Sequence, residues 1–384
     1  MAKNRAQRPK VMYLGLRGIG GIQGGVETHV AELVRHLPYD SSEIEVIGRS
    51  TYRRRDIPVD PSMPKVRWIP ALRHPLAETI IHSILGVGYA AWRRPDLLHI
   101  HAIGPNIVAP LARLLGLRVI STHHGEDYRR EKWGLLARTV LRFGERQAVL
   151  SANACISISP VVAGSLREKY GKPITFIPNG VTAMPRVAPG ATLAKYGLTA
   201  TRYIINVARF VPEKRQIDLV DAFKAAELPE DVKLVLVGNA DHKNEYARKL
   251  LEKAVKVPGV IIAGHISGEP LAELFWNAGL FALPSSHEGL PIVLLEAMGC
   301  QLPVLVSNLP VYRAMGVPDS NILEVADVPA IAQRFRESFA TPVSPVDWSE
   351  LLTCYQWRNI AVQTAALYQQ VSGNGEIQSR SRKS

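Results

Sequence analysis

The sequence predicts an α/β protein built from two domains. Three observations carry this. At 384 residues the chain is too long for one hydrophobic core and suits two. Short apolar runs of strand length alternate along it with longer segments whose apolar residues recur at helical spacing. Twice, at 11–37 and at 281–299, a strand runs into a glycine-rich or polar loop that opens a helix. Backbone N–H groups at such a helix start point at the loop and favour an anion there.

Composition narrows the classes. With 47% hydrophobic and 21% charged residues the chain reads as globular. No run reaches the roughly 18 apolar residues of a membrane span. Residues 77–92 come closest, but Glu78 and His82 interrupt them, so they read as a core or interfacial helix. The basic N-terminal stretch passes straight into a strand without an apolar signal region, so a cytosolic location is expected. Cys155, Cys300 and Cys354 show neither metal-type spacing nor a pairing pattern, so no metal is expected and a reducing compartment fits. The net charge of +12 lies wholly in residues 1–182, with 26 Lys+Arg against 14 Asp+Glu; the rest holds 20 of each. A basic half attracts phosphates on nucleic acid, anionic lipid or substrate. The chain has no nucleic-acid motif and no aromatic-interleaved basic strip, so nucleic acid is not the expected partner.

In chain order, the strand at 11–16 leads into Arg17 and a loop holding five glycines, among them Gly24 and Gly25. Val26, Val30, Leu33, Val34 and Leu37 then carry a helix. Glycines let a backbone approach a phosphate closely. The dinucleotide fingerprint fits poorly, because Gly18, Gly20 and Gly24 are spaced one residue too far. Strands are expected at 44–47 and 66–69, with a basic loop at 49–55 between them. The strand at 97–101 ends in His101, and the strand at 118–121 runs into Thr122, His123, His124, Gly125, Glu126 and Asp127. Arg129, Arg130 and Lys132 follow at once. Titratable groups at the carboxyl ends of parallel strands lie where open α/β sheets bind ligands. Singly, each histidine reads as a packed or capped strand end; together they read as a site.

A strand at 174–177 leads into Pro178, Asn179, Gly180 and Val181, and the linker is expected at 182–198. The second domain opens with a strand at 203–207 and a loop in which Arg209 and Lys214, five apart, suit a diphosphate. The strand at 260–263 ends in Gly264 and His265. The most informative stretch is 281–303. An apolar strand breaks at Pro284, Ser285 and Ser286; Glu288, Gly289, Leu290 and Pro291 follow, and a helix runs from Ile292 with Gly299 closing it. Proline suits the first helical position. Glu288 and Glu296 flank that helix start; a carboxylate repels phosphate, so both suit sugar or ribose hydroxyls beside one. Residues 355–371 form a long amphipathic helix, and 372–384 are small, polar and basic, read as a disordered tail.

The string PSSHEGLPIVLLEAMGCQLPV, with Glu288 and Glu296 in place, resembles the donor-site signature of the retaining glycosyltransferases of family four, which have the GT-B fold. GGVETHVAELVRHL, THHGEDYRREKW, IPNGV and the Arg209 to Lys214 element resemble further parts of that family, THHGEDYRREKW those of a subgroup assembling bacterial surface polysaccharides. The resemblance covers about 11–371. It implies an acceptor-binding Rossmann-like domain at 1–182 and a nucleotide-sugar-binding one at 183–352 facing a cleft. The helix at 353–371 would cross back to the first domain. It also implies transfer from a nucleotide diphosphate sugar with retention, without cofactor or metal. Arg209, Lys214 and the helix start near Pro291 would neutralise the leaving diphosphate. Glu296 would hold the ribose and Glu288 the donor sugar, with Gly289 and Leu290 beside them. Gly24 and Gly25 would sit against the phosphates and His265 near the base. His124 would stabilise the donor sugar, and Asp127, Arg130 and Lys132 would serve the acceptor. A lipid-linked saccharide at an anionic inner membrane face is the expected acceptor. Two alternatives share the fold: a sugar-nucleotide epimerase, and an inactive sugar-nucleotide-binding protein.

Overall fold

The computed structural model describes residues 8–22, 24–53, 60–71, 77–129, 134–240 and 245–373. The chain divides into two compact units, Met1–Gly180 with Tyr355–Ser384, and Val181–Cys354.

The first unit runs β1 (Lys10–Leu14), α1 (Gly25–His36), β2 (Glu43–Arg49), β3 (Lys65–Ile69), α2 (Ala77–Arg93), β4 (Leu97–His101), α3 (Ala109–Leu114), β5 (Val119–His123), α4 (Leu135–Leu150), β6 (Ala154–Ser157), α5 (Pro160–Tyr170) and β7 (Thr175–Phe176). All seven strands are parallel, in the order β3-β2-β1-β4-β5-β6-β7. Strand order reverses between β1 and β4. Right-handed crossovers therefore put α1 on one face of the sheet and α2 to α5 on the other. Leu14, Ile47, Leu98, Ile100 and Val119 are fully buried beneath α2 and α3, each contributing roughly 1.5–3 kcal/mol.

Parallel strands buried on both faces normally read as unbroken apolar runs. β4, LLHIH, departs from this, and its two histidines must find partners inside the unit. His99 does so through Nδ1 to the Tyr368 hydroxyl at 2.8 Å and Nε2 to Thr122 Oγ1 at 2.7 Å. The Tyr13 and Tyr368 hydroxyls meet at 2.6 Å. Tyr368 belongs to the terminal helix, Trp357–Ser372, which packs on α1 and β4. A polar chain through the sheet thus anchors the end of the chain in the first unit.

The second unit runs α6 (Ala191–Tyr196), β8 (Tyr203–Val207), α7 (Gln216–Ala226), β9 (Lys233–Val237), α8 (Glu245–Ala254), β10 (Val260–Gly264), α9 (Glu269–Trp276), β11 (Leu280–Leu283), α10 (Ile292–Gly299), β12 (Val304–Ser307), α11 (Pro310–Met315), β13 (Ile322–Leu323), α12 (Val328–Ala340) and α13 (Ser349–Leu352); the terminal helix is α14. Its six strands are parallel, in the order β10-β9-β8-β11-β12-β13, reversing between β8 and β11. The core closes where α7 and α12 pack together over Leu219, Phe223, Leu234 and Phe335.

Three local readings change. Residues 182–198 are not all linker, because 191–196 form α6. The Glu273 carboxylate, 6% exposed, accepts from the N–H groups of Gly190, Thr192 and Leu193 and so caps that short helix. Pro291 is the N-cap of α10 rather than its first residue, and Gly299 is still helical; Gln301, with φ 59°, takes the left-handed position after it. The basic loop read at 49–55 starts one residue later, because Arg49 ends β2, is buried and lies 3.7 Å from Glu78; Arg54 and Arg55 lie outside the described residues.

Candidate active site

Open α/β sheets bind ligands beyond the carboxyl ends of the strands, where strand order reverses. In the first unit that point collects the loops after β1, β4 and β5. The β1 loop presses close to β4. A Cβ on Gly15, φ 103°, would lie 2.3 Å from the His101 carbonyl oxygen, so only glycine fits. Gly24 precedes α1 without a side-chain cap. Its missing Cβ leaves room for the Glu27 carboxylate, which accepts from the Arg17 N–H at 3.0 Å. Gly20 and Gly25 face open space.

Beside this loop stands a cluster of imidazoles. His29 on α1 donates from Nδ1 to Asn179 Oδ1 at 2.8 Å, which leaves Nε2 with its lone pair. His101 Nδ1 and His124 Nε2 are 3.1 Å apart. His29 stands edge-on to His124 with centroids 4.8 Å apart, and Trp357 covers His29 at 5.6 Å. Burial pushes His29 down to about 4 and His99 to about 3. It also holds His101 and His124 well below the usual imidazole range, with neighbouring imidazoles adding to the effect. The cluster is therefore neutral at pH 7, and His124 offers a hydrogen bond rather than a charge. Buried His101 Nε2 has no hydrogen-bond partner among the described residues. The nitrogens of His29, His101 and His124 lie within 4.8 Å of one another, a set able to ligate a transition-metal ion.

The turn carrying His124 is braced from below. His123 Nδ1 accepts from the Gly125 N–H at 3.3 Å, and its Nε2 faces Glu145 of α4 at 3.5 Å. Lys169 Nζ and the Tyr170 hydroxyl reach the other Glu145 oxygen at 2.6 and 2.9 Å. Burial raises the Glu145 carboxyl, but hydrogen bonds from His123 and Lys169 outweigh it and bring it to about 2. Asp127 follows in a single 3-10 turn, half-buried. Arg130 and Lys132 lie outside the described residues.

In the second unit the reversal joins the loops after β8 and β11. Lys214 Nζ lies 2.5 Å from Glu288 Oε1, and the buried Ser285 hydroxyl donates to the same oxygen at 2.6 Å. The Lys214 and Glu288 side chains are only 16% and 9% exposed. Ser286 N–H donates to the Glu213 carbonyl at 2.9 Å and laces the two loops together. Arg209 is half-buried, and its carbonyl accepts from Gln216 Nε2 at 2.9 Å. Gly238, after β9, lets this strand end close up, for a Cβ there would lie 1.9 Å from the Ala208 carbonyl oxygen. Tyr312 of α11 is fully buried, and its hydroxyl has no hydrogen-bond partner among the described residues. Burial raises its pKa, and the Glu288 charge adds to that. Leu290 is buried, Gly289 half-buried, and Glu296 lies half-buried on α10. His265 is exposed at the end of β10, on a cavity of about 430 Å³ that Thr192, Lys195 and Tyr196 also line.

Of the predicted residues, the structure joins Lys214 directly to Glu288. It sets His124 among His29 and His101, and it leaves His265 on a cavity beside α6. Sequence reasoning missed His29, Asn179, Ser285, Tyr312 and Glu145 as site or supporting residues. For His29, the one available signal was its place in the first turns of the helix that the glycine loop opens.

Two doubly wound units, each with polar side chains gathered where strand order reverses, define the class of two-domain α/β proteins with Rossmann-like halves. Residues 23–183 match the family model "Glycosyltransferase Family 4", and residues 194–350 match "Glycosyl transferases group 1". The chain belongs to the GT-B glycosyltransferases of family four. It is 27% identical over 398 residues to the GDP-mannose-dependent alpha-(1-6)-phosphatidylinositol monomannoside mannosyltransferase of Mycolicibacterium smegmatis, covering 91% of this chain and 94% of that one. It is 28% identical over 193 residues to the alpha-galactosylglucosyldiacylglycerol synthase of Streptococcus pneumoniae; that match spans 47% of this chain and only half, 50%, of the relative. Among solved structures, Anabaena HepE in complex with UDP and glucose superposes with a TM-score of 0.74 at 18% identity, covering 94% of this chain and 100% of that one.

Proposed function

We propose that the protein transfers a sugar, with retention, from a nucleotide diphosphate sugar to a lipid-linked saccharide in surface-polysaccharide synthesis. Residues 1–182 would bind the acceptor and 183–352 the donor. The observation that carries this is the Lys214–Glu288–Ser285 cluster at the strand-order reversal of the second unit. Glu288 Oε1 is engaged by a cation and a hydroxyl, which leaves Oε2 to accept from a sugar hydroxyl. Lys214, Arg209 and the N-terminus of α10 supply fixed positive potential for a leaving diphosphate, commonly the largest catalytic term. His124, neutral, donates a hydrogen bond to the donor sugar, and the leaving phosphate takes the acceptor proton. Asp127, Arg130 and Lys132 orient the acceptor, Glu296 holds the ribose, and His265 lies toward the base. Charge neutralisation by side chains makes a metal unnecessary for this step. The lipid-linked acceptor draws on the relatives, whose names specify a phosphatidylinositol monomannoside and a diacylglycerol glycolipid. Among the described residues no helix is long and apolar enough to cross a membrane. The protein would work from the cytosol on a membrane face.

The test incubates EDTA-treated protein with a panel of nucleotide sugars and polyprenyl-diphosphate-linked saccharides. The product and its anomeric configuration are read by mass spectrometry and NMR. A glycosylated acceptor whose new linkage keeps the anomeric configuration of the donor sugar is expected. Interconversion of the nucleotide sugar without acceptor would identify an epimerase, donor binding without turnover an inactive binding protein. Activity restored only by manganese or magnesium would overturn the metal-free step.

A further inference from the structure

The outer surface of α2, α3 and α4 is unlike the rest of the molecule. Fifteen large apolar side chains are exposed among the described residues, and ten of them lie on these three helices or at the end of α3. Leu114, Leu135, Leu136 and Trp92 are 84%, 83%, 76% and 74% exposed. These are neighbouring crossover helices on one face of the sheet, and α2 contacts α3 as α3 contacts α4. A soluble surface seldom gathers its apolar side chains this way without something to cover them.

The charge on the same surface is one-sided. On α4 the outward positions carry Leu135, Leu136, Phe143 and Leu150 interspersed with Arg142 and Arg146, and the remaining one is Thr139. Arg93 and Arg113 are exposed on α2 and α3. The two carboxylates of the three helices, Glu78 and Glu145, are 8% and 1% exposed and turn inward. Apolar and basic side chains interleaved, with an exposed Trp and no exposed carboxylate on any of the three helices, are the composition of a surface that lies on an anionic bilayer. A protein partner would give no reason to exclude acidic residues from every outward position.

We infer that the α2–α4 face docks on the surface of an anionic lipid bilayer, Leu135, Leu136 and Trp92 entering the headgroup region and Arg142 and Arg146 meeting lipid phosphates. This rests on the proposed lipid-linked acceptor for its purpose, though not for its evidence. It ties docking to chemistry, because α4 turns Glu145 toward His123, next to His124, on its inner side.

Co-sedimentation of the full chain with vesicles of phosphatidylglycerol and phosphatidylcholine, or phosphatidylcholine alone, tests this. Binding is expected to the anionic vesicles and to fall steeply with salt. Arg142→Ser with Arg146→Ser should weaken it roughly thirtyfold, and Leu135→Ser with Leu136→Ser at least as much. Leu251→Ser with Val255→Ser, exposed in the second unit, should leave it unchanged. These side chains point outward, so melting should not change. No binding of the unaltered chain to anionic vesicles, or unchanged binding in both α4 variants, would overturn the proposal. So would a lipid-free dimer dispersed by the leucine variant, which would assign the face to a second copy. Vesicle binding without sugar transfer would sink the function proposed above and leave the docking face standing.

Discussion

The ammonium of Lys214 lies 2.5 Å from Oε1 of Glu288, with 16% and 9% of the two side chains exposed. This is a largely desolvated pair, not a lysine waving in an open loop. It places a cation and a carboxylate at one fixed point, and its loss has two readable consequences.

Lys214→Ala should lower turnover by about a hundredfold or more, as when a preorganised charge facing a developing anion is removed. It should also cost about 2 kcal/mol of stability, because Glu288 loses its cation in a poorly solvated place. Single-turnover kinetics and urea unfolding read the two separately. Turnover within a few-fold of the unaltered protein would refute the role of Lys214, whatever happens to stability.

The imidazole cluster sets an acid limit. His29 and His99 titrate near 4 and 3 in the fold, below the ordinary 6.5 of an unfolded chain. Below pH 6.5 the unfolded chain therefore binds more protons. The stability that depends on neutral burial is complete above pH 6.5 and is lost as pH falls toward those folded values. For His29 alone the loss is on the order of 3 kcal/mol by pH 4. Urea unfolding at pH 7.5 and 4.5 should show a smaller drop in His29→Gln than in the unaltered protein. An equal drop in both would mean that His29 is not a buried neutral group.

Glu273→Ala should remove the acceptor for three backbone N–H groups at the start of α6. A cost of about 2–3 kcal/mol is expected, since the donors are left partly buried without partners. Hydrogen exchange at Leu193 should rise well above that at Leu234 in β9. Protection of 190–193 unchanged in the variant would show that α6 is held by packing instead.

Sequence alone determined the two-domain α/β architecture and most of the chemistry-bearing loops. Strand and helix periods are local, and Arg209, Lys214, Glu288 and His124 all sit in loops that directly follow an apolar strand, a position readable one residue at a time. The same locality explains why α6 was read as linker: its cap is Glu273, some eighty positions away. Tertiary structure decided what no period records. Parallel order brings the ends of β1, β4 and β5 together, so His29, His101 and His124, from three separate segments, become one neutral cluster, while Ser285 and Lys214 converge on a single Glu288 oxygen. Charge counting placed the basic excess in residues 1–182. Only the fold buried Arg49, turned Glu78 and Glu145 inward and left α2–α4 with arginines and exposed leucines, because burial depends on which face of each helix the sheet covers.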